Sequence, residues 1–399
     1  MALGGKPLRL GFFGNFYPSV SRLGPTSTGL VVLLSRSERV LRIILFGTSE
    51  SAMPPFARAE KIEIVRSWGI DRPLELIRTG VLMFERRREF DAVVFNVYLT
   101  GFGRSWTSNG IGLLVPVFVA LAARRPTLVY LHNVVEAQRP EALGYRVGRT
   151  RIRIAQFLER LLAATTRLYV PLESQQRALR RSGTQSSSSF VIPYLEGVFG
   201  ALDRLDGPEP DRRPPVAARP RVLLFGAWGP QKDLAGALES LGTLREQGLA
   251  VEVTVAGSVN NNFHHYTREL EQLRRRWGPN GVRFQLGVGE SEVAGLLENC
   301  DVLFLPYRAA GGYSAVMNLG AMFGVRILAY ELPELREFDR LLGAGTLFVP
   351  GPDPILIRRA IELALAPADR DHDRGAAGFR ARLRRAQAAV DDFAARCRA

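Results

Sequence analysis

The sequence predicts an α/β protein with two doubly wound domains that face each other across a cleft. Its 399 residues are too many for one ordinary domain, and a hydrophobic content of 46% supports sizeable cores. Short apolar runs alternate with helical patterns along the chain, which is typical of parallel strands that are buried on both faces. A segment rich in proline and charge, residues 202–220, interrupts this alternation, and the alternation then starts again.

The first domain is predicted to cover residues 1–200. Its expected strands are residues 8–13, 41–46, 91–97, 127–131, 167–170 and 190–193, and its expected helices are residues 29–37, 72–87, 110–124, 150–164 and 173–181. The longest apolar stretch, residues 111–123, is shorter than the ~20 residues that cross a bilayer. This stretch indicates either a buried helix or a helix that touches a membrane surface.

The second domain is predicted at residues 221–366, after a linker at residues 201–220. Its expected strands are residues 222–225, 251–256, 282–286, 302–305 and 327–330, and its expected helices are one from residue 233, one near residues 266–277, and residues 290–299, 314–323 and 353–366. A last helix, basic and rich in alanine, is predicted at residues 374–398 within a terminal segment, residues 367–399.

The net charge is +14, and the only lysines among the basic residues are Lys6, Lys61 and Lys232. The arginines are scattered along the chain, which favours a compositional bias over attraction to phosphate, anionic lipid or nucleic acid. No basic stripe interleaved with aromatic residues and no RNA- or DNA-binding signature is present, so a nucleic-acid partner is not expected. Cys300 and Cys397 fit no metal-ligand spacing, and the first residues show no signal-peptide pattern, so we expect a cytoplasmic protein.

Ligands of open parallel sheets bind outside the carboxyl ends of the strands, so the loops after strands are the places to search. The loop at residues 12–30 lacks the G-x-G-x-x-G spacing of dinucleotide-binding proteins. Its Gly24, Ser27, Thr28 and Gly29 predict either a helix entry whose amides face a ligand or a long surface turn with a helix cap.

His132 ends a predicted strand in the sequence LVYLHN. A histidine at this position is either a catalytic residue that faces the cleft or an ordinary hydrogen-bonded structural residue, and its position alone supports both equally.

Two further loops predict anion binding. In FGAWGPQK, residues 225–232, a strand leads through glycine to Lys232, which is expected in the first turn of a helix, where the helix dipole disfavours a cation. A bound anion would relieve this conflict, whereas a solvated lysine is the alternative. After the strand at residues 302–305 come Arg308, two glycines and Ser314, which can cap the following helix. Two anion sites in one domain suit a diphosphate.

Four segments of the second domain also carry a family resemblance. They are FGAWGPQK, VAG at residues 255–257, VRFQLGVGESEVAGLLENCDVLFLPYR at residues 282–308 and NLGAMFGVRILAY at residues 318–330. They resemble the GT-B glycosyltransferases, in particular the retaining, family 4-like group related to sucrose-phosphate and glycogen synthases. The resemblance covers residues 221–365 well and the first 200 residues in outline.

The resemblance implies two Rossmann-like domains and transfer of a hexose from a nucleotide-diphosphate sugar to an acceptor hydroxyl, with retention and without metal or a separate cofactor. It implies catalytic roles for His132, Lys232 and Arg308. It also implies that the final segment crosses back to the first domain. The donor-binding residues implied by the resemblance are Gly226, Lys232, Gly287, Val288, Arg308, Gly312, Tyr313, Ser314 and Asn318, with Gly287 and Val288 beside the nucleotide base.

The sequence departs from the family pattern at two places. Ala227 occupies the position of a usual arginine, and the Glu-x7-Glu pair is absent, its positions falling at Gly311 and Leu319. Asn318 either replaces an acidic partner or lies on the surface. A degenerate protein that binds a nucleotide sugar or a partner without transfer is therefore the alternative function.

The acceptor is expected to be a glycan or a lipid-linked molecule. Arginine-rich helices near residues 149–160 and 86–88 either rest on anionic lipid, which would place the protein at the inner face of a membrane, or present a solvated face.

Overall fold

Two parallel β-sheets organise the chain, one in each of two units. In this computed structural model, the structure describes residues 6–16, 24–54, 57–137, 141–145, 147–183, 189–191, 219–260, 263–366 and 376–397. Unit 1 comprises Met1–Arg139, Val147–Phe199 and Arg384–Ala399, and unit 2 comprises Pro140–Arg146 and Gly200–Leu383. The predicted linker lies outside the described residues except for its last two positions.

Unit 1 contains a seven-stranded parallel sheet in the order β3-β2-β1-β4-β5-β6-β7. Its strands are β1 (Leu8–Phe13), β2 (Val40–Thr48), β3 (Ile62–Trp68), β4 (Ala92–Val97), β5 (Thr127–Leu131), β6 (Arg167–Val170) and β7 (Ser189–Val191). Its helices are α1 (Gly24–Arg36), α2 (Pro73–Glu85), α3 (Trp106–Ala123), α4 (Arg149–Thr165) and α5 (Glu173–Arg181). The strand order reverses between β1 and β4, which makes this pair the switch point where an open sheet binds ligands.

Both faces of the first sheet are covered. On one face, a single core cluster joins side chains of α2, α3, α4 and α5 to the strands, including Leu168 and Val170 of β6. Tyr169 lies between these two residues and therefore projects from the opposite face, because side chains alternate along a strand. There its ring meets the edge of Phe393, with centroids 5.2 Å apart.

Phe393 belongs to the last helix of the chain, α12 (Ala376–Arg396). Two hydrogen bonds also attach this helix to unit 1: Gln387 Nε2 donates to the Leu33 carbonyl (3.2 Å), and Arg167 Nη1 donates to the Arg396 carbonyl (2.7 Å). The carboxyl-terminal part of α12 is therefore a component of unit 1.

Unit 2 contains a six-stranded parallel sheet in the order β10-β9-β8-β11-β12-β13. Its strands are β8 (Arg221–Trp228), β9 (Glu252–Val259), β10 (Val282–Leu286), β11 (Val302–Leu305), β12 (Arg326–Tyr330) and β13 (Leu347–Val349). Its helices are α6 (Leu234–Glu246), α7 (Tyr266–Trp277), α8 (Glu290–Glu298), α9 (Ala315–Met322), α10 (Pro333–Leu342) and α11 (Pro354–Leu365). The switch point of this sheet lies between β8 and β11.

The predicted fold class of two doubly wound α/β domains is confirmed, and three elements were missed by the sequence patterns. Strand β3 has the sequence IEIVRSW and is mostly half-buried, because it is the edge strand of its sheet. Strand β13 has only three residues and is also at an edge. Helix α10 is short, amphipathic and rich in charge, and it begins at a proline only three residues after the end of β12. Helices α1 and α3 also begin earlier than predicted, at Gly24 and Trp106.

Unit 1 contains a buried acid that predicts how stability responds to pH. Glu159 of α4 is buried, and its Oε1 accepts a hydrogen bond from the Val135 amide (2.7 Å). Burial is the main reason that its pKa is raised to about 8. An acid with a raised folded-state pKa keeps its proton while the unfolded chain loses it, so stability should fall as pH rises from about 4.5 to about 8.

We expect Glu159→Gln to reduce this pH dependence, because the amide cannot ionise and its oxygen still accepts from Val135. The measurement is the thermal midpoint of unfolding of wild type and variant between about pH 5 and pH 8. In this range one ionisation changes the free energy of unfolding by at most about 1.4 kcal/mol per pH unit. Glu85→Gln, at an exposed carboxylate of α2, is the matched control. Parallel pH profiles for wild type and Glu159→Gln would contradict the assignment.

Candidate functional site

The candidate site lies at the carboxyl edge of the second sheet, where the loops after β8 and β11 join. Lys232 of the first loop and Tyr307 of the second form an isolated antiparallel bridge. The Asp233 amide donates to the Pro306 carbonyl (2.7 Å), and the Arg308 amide donates to the Gln231 carbonyl (2.9 Å). The two loops that carry the predicted anion-binding residues are therefore held together at the switch point of the sheet.

Lys232 is buried between the end of β8 and the first turn of α9. Its ammonium lies 5.2 Å from the ring centroid of Trp228 and 4.8 Å from that of Tyr307, within cation–π range. A Cβ atom on Gly226 would lie 2.5 Å from Lys232 Nζ and 3.2 Å from Val316 Cγ2. The absence of a side chain at Gly226 is therefore what leaves room for the ammonium beside the helix.

The N-terminus of α9 adds a second source of positive potential. The first amides of a helix have no acceptor within it, and the helix dipole makes this end positive. Ser314 is the N-cap: its Oγ accepts from the Met317 amide (3.2 Å) and donates to Tyr307 Oη (3.3 Å). Gly312 precedes it with φ +140°, a conformation that favours glycine. Tyr313 lies against Phe338, with ring centroids 5.8 Å apart.

Arg308 lies in the same loop, paired with an acid that the sequence patterns missed. Its Nη2 is 2.6 Å from Asp233 Oδ1, and Asp233 is buried whereas the arginine side chain is exposed. The same Oδ1 accepts from the Gly236 amide (3.1 Å), so Asp233 is the N-cap of α6. The positive charge of Arg308 is therefore partly balanced before any ligand binds.

This cap also corrects the predicted place of Lys232. The helix begins at Leu234, so Lys232 lies before the N-cap rather than in the first turn. The predicted start at residue 233 is within one residue of the observed start, and the N-cap signal of an aspartate directly before a helical pattern would have placed Lys232 outside the helix.

Asn318 is buried in α9, one turn after Ser314, so the alternative of a surface position is excluded. It is 2% exposed, and its Nδ2 has no hydrogen-bond partner within the described residues. Residues four apart share a helix face, so Asn318 lies on the same side of α9 as Ser314.

Gly287 and Val288 follow β10 at the same edge of the sheet. The Gly287 amide donates to the Gly257 carbonyl at 2.8 Å, and Gly287 has φ +76° with open space at its Cβ position. Only β9 separates β10 from β8, so at ~4.8 Å per strand the two ends are about 10 Å apart. This spacing is comparable to the length of a nucleoside.

His132 lies in unit 1, in a buried chain of hydrogen bonds. Its Nε2 is 2.5 Å from Asn96 Oδ1, and Asn96 Nδ2 donates to Ser27 Oγ at 2.7 Å. The Tyr98 ring stacks on the imidazole at 4.4 Å, and Gln175 Nε2 donates to the His132 carbonyl at 3.1 Å.

Burial lowers the pKa of His132 to about 3, so the imidazole is neutral at pH 7. These contacts are those of a structural histidine, and a catalytic role for His132 stays a prediction. Ser27 and Thr28 are buried in α1, so they do not form the surface turn that was one alternative for this loop.

Among the residues that the structure describes, no three His, Cys, Asp or Glu side chains are grouped closely enough to hold a metal ion.

No protein-family model matches the chain, and none of the curated proteins compared with it matches. Solved structures share its fold at low sequence identity. The crystal structure of Anabaena HepE in complex with UDP and glucose matches over 98% of each chain, with a TM-score of 0.63 and 15% identity. Sucrose-phosphate synthase from Thermosynechococcus elongatus matches over 96% of this chain and 94% of its own, with a TM-score of 0.59 and 16% identity.

A UDP-GlcNAc 2-epimerase from Neisseria meningitidis, bound to UDP-GlcNAc, also matches over 97% of each chain, with a TM-score of 0.55 and 10% identity. Because a synthase and an epimerase both share this fold, the likeness establishes the fold of the chain, and the reaction must be argued from the site.

The contact between Gly226 and Lys232 predicts the effect of adding one methyl group. We expect Gly226→Ala to lower the free energy of unfolding by about 1–3 kcal/mol, because Gly226 has φ +136° and the new Cβ would meet the ammonium. The measurement is chemical denaturation. Gly295→Ala in α8, where a Cβ would meet nothing within 4 Å, is the control and should not destabilise the protein. Equal stability of wild type and Gly226→Ala would show that Lys232 is not held where the structure places it.

Proposed function

We propose that the protein transfers a hexosyl group from a nucleotide-diphosphate sugar to an acceptor hydroxyl. The observation that carries this proposal is the position of the Lys232 ammonium beside the N-terminus of α9 at the β8/β11 switch point. A cation and a helix N-terminus at one point favour a ligand with more than one negative charge. The proposal is also supported by the shared fold with HepE, whose structure contains UDP and glucose.

The same arrangement suits the chemistry of the leaving group. In the transfer, the bond from the sugar C1 to the β-phosphate oxygen breaks, and the acceptor oxygen bonds to C1. The electron pair of the broken bond stays on the nucleotide diphosphate, whose charge grows in the transition state. Preorganised donors at such a charge are each worth about 3 kcal/mol, and Lys232 and the α9 amides are positioned to act as such donors.

We further propose that the transfer retains the anomeric configuration and needs no metal. Asp233, the acid closest along the chain to Lys232, is held by the Gly236 amide and by Arg308, so it is engaged in capping rather than directed at a substrate. The proton of the acceptor hydroxyl would then pass to an oxygen of the leaving phosphate, with attack on the same face of the sugar. Activity that persists in EDTA would support metal independence. A product with the same anomeric configuration as the donor, determined by NMR, would support retention.

A second candidate is a protein that binds a nucleotide sugar without transferring it. It is favoured by Ala227, which occupies the position of a usual arginine, and by Gly311 and Leu319, which occupy the positions of the usual acids. Binding without turnover across a panel of UDP-, GDP- and ADP-sugars and acceptors would select this candidate. A product with an altered sugar and no transfer would instead indicate epimerisation.

The first test is the affinity of nucleotide diphosphates for Lys232→Ala. We expect the affinity for the best-binding diphosphate among UDP, GDP and ADP to fall by about 10- to 100-fold, because a charge-assisted hydrogen bond contributes about 1.5–3 kcal/mol. Isothermal titration calorimetry measures this affinity for the wild type and the variant. Lys6→Ala removes an exposed lysine of the same chain and is the control. Unchanged affinity in Lys232→Ala would contradict the proposed diphosphate site.

The second test uses the buried amide of Asn318. We expect Asn318→Leu to keep or raise the thermal midpoint, because it removes a buried donor that has no partner within the described residues. The affinity for the nucleotide sugar should fall about tenfold, because the variant lacks the Asn318 Nδ2 group that would donate a hydrogen bond to the ligand. A variant that loses stability and keeps its affinity would show that Asn318 is a structural residue.

A further inference from the structure

Unit 1 exposes an apolar surface that its fold does not explain. On α2 the exposed residues include Leu74, Ile77 and Val81, and on α3 they include Leu114, Phe118 and Leu121. Spacings of three and four residues place each set along one face of its helix. Leu74 is 74% exposed and Leu121 is 65% exposed, and the other four residues are between 41% and 49% exposed. We refer to these six residues as the apolar face.

The two helices that form the apolar face lie side by side. A Cβ atom on Gly80 of α2 would be 3.4 Å from Phe118 Cδ1 and 3.6 Å from Val115 Cγ1 of α3. The rings of Phe84 and Phe118 also approach, with centroids 6.4 Å apart. The two exposed stripes are therefore neighbours and form one continuous surface, which is larger than the scattered single apolar residues of an ordinary protein surface.

A third helix extends this surface with both apolar and basic residues. Arg151 of α4 lies over the Trp106 ring of α3, with Cζ 5.2 Å from the ring centroid. Phe157 of α4 is 62% exposed, and Arg153 and Arg160 are exposed about one turn on either side of it. The only acid of α4, Glu159, is buried and carries a pKa raised to about 8, so α4 presents positive charge alone at pH 7.

Arginines also border the apolar face itself. Arg78 lies on the same side of α2 as Leu74 and Val81, and Arg124 follows Leu121 by three residues; both arginines are exposed. In contrast, α3 has no charged residue from Trp106 to Ala123. The pattern is an apolar centre bordered by long basic side chains and by one exposed acid of α2, Glu85, which follows Val81 by four residues. The basic side chains can lie along apolar surface while their guanidinium groups reach an anion.

We propose that the apolar face and its arginines dock unit 1 on a bilayer that contains anionic lipids. The apolar residues would enter the boundary between headgroups and acyl chains, and the arginines would bind lipid phosphates. Charge complementarity selects this occupant: a second copy of the chain in a two-fold dimer would bring one arginine border against another, and like charges repel.

The helix at the centre lies on the membrane rather than crossing it. Among the described residues, α3 is the one helix long and apolar enough to span a bilayer, with 18 residues and a mean hydropathy of 1.6. Half of it is buried within the protein and packs in the core of unit 1. Only its outer face is therefore available to lipid.

Vesicle co-sedimentation of the full chain tests this proposal, with vesicles of phosphatidylcholine alone and vesicles of equimolar phosphatidylcholine and phosphatidylglycerol. We expect binding to the anionic vesicles, weaker binding at high salt and little binding to phosphatidylcholine. The triple variant Leu74→Ser, Leu121→Ser, Phe157→Ser should bind at least about tenfold more weakly and melt at the wild-type temperature, because its side chains are exposed. The double variant Arg153→Gln, Arg160→Gln should lose binding only to anionic vesicles.

The control is Ile355→Ser with Leu363→Ser, which removes two apolar side chains of α11 that are 73% and 51% exposed in unit 2. This variant should bind anionic vesicles like the wild type. Binding that is insensitive both to lipid charge and to the triple variant would overturn the proposal. A second result would also overturn the proposal. In this result the wild type binds no vesicles and forms a dimer in analytical ultracentrifugation, and the triple variant is a monomer.

Discussion

The carboxyl edge of unit 2 depends on the hydrogen bonds that join the loop after β8 to the loop after β11. Two backbone bonds, from the Asp233 amide to the Pro306 carbonyl and from the Arg308 amide to the Gln231 carbonyl, connect them. Lys232 lies in one loop and the N-terminus of α9 follows the other, so these bonds fix the distance between the two positive groups. A lysine on an unconnected loop would have to be ordered by the ligand, and binding would lose the free energy of that ordering. The fold performs this ordering in advance.

An arginine–aspartate ion pair joins the two central strands of each sheet at their amino ends, and it is repeated in both units. Arg9 of β1 and Asp91 before β4 form an ion pair with a nitrogen-to-oxygen distance of 2.8 Å, and the same carboxylate accepts the Arg9 amide. Arg221 of β8 and Asp301 before β11 repeat the arrangement, with the Arg221 amide donating to Asp301 at 2.9 Å. Each pair ties the two central strands together at their amino ends. The carboxyl ends remain available for loops that bind ligands, and buried polar residues lie there in both units, among them His132 in unit 1 and Lys232 and Ser314 in unit 2.

The sequence predicted the parts of this structure that depend on strong local patterns. Near-continuous apolar runs located β1, β5, β6 and β11 almost to the residue, because strands buried on both faces leave few polar positions. Edge strand β3 was missed because one side of it is partly exposed. Glycines and a lysine after strands located the candidate site, but Asp233 and Tyr307 were missed, because their importance depends on contacts between loops about 75 residues apart. The burial of Asn318 was likewise left open, because it depends on the packing of α9.

The packing of α12 on unit 1 has a consequence for the order in which the chain folds during synthesis. Residues 200–383 of unit 2 leave the ribosome before the helix that supplies Phe393 and Gln387 to unit 1. Until that helix arrives, Tyr169 and the Leu33 carbonyl lack these partners, and one face of the first sheet is incompletely covered. The unit that comes second in the sequence is therefore able to complete its core first, and the nascent first unit is the part of the chain that most needs protection from aggregation.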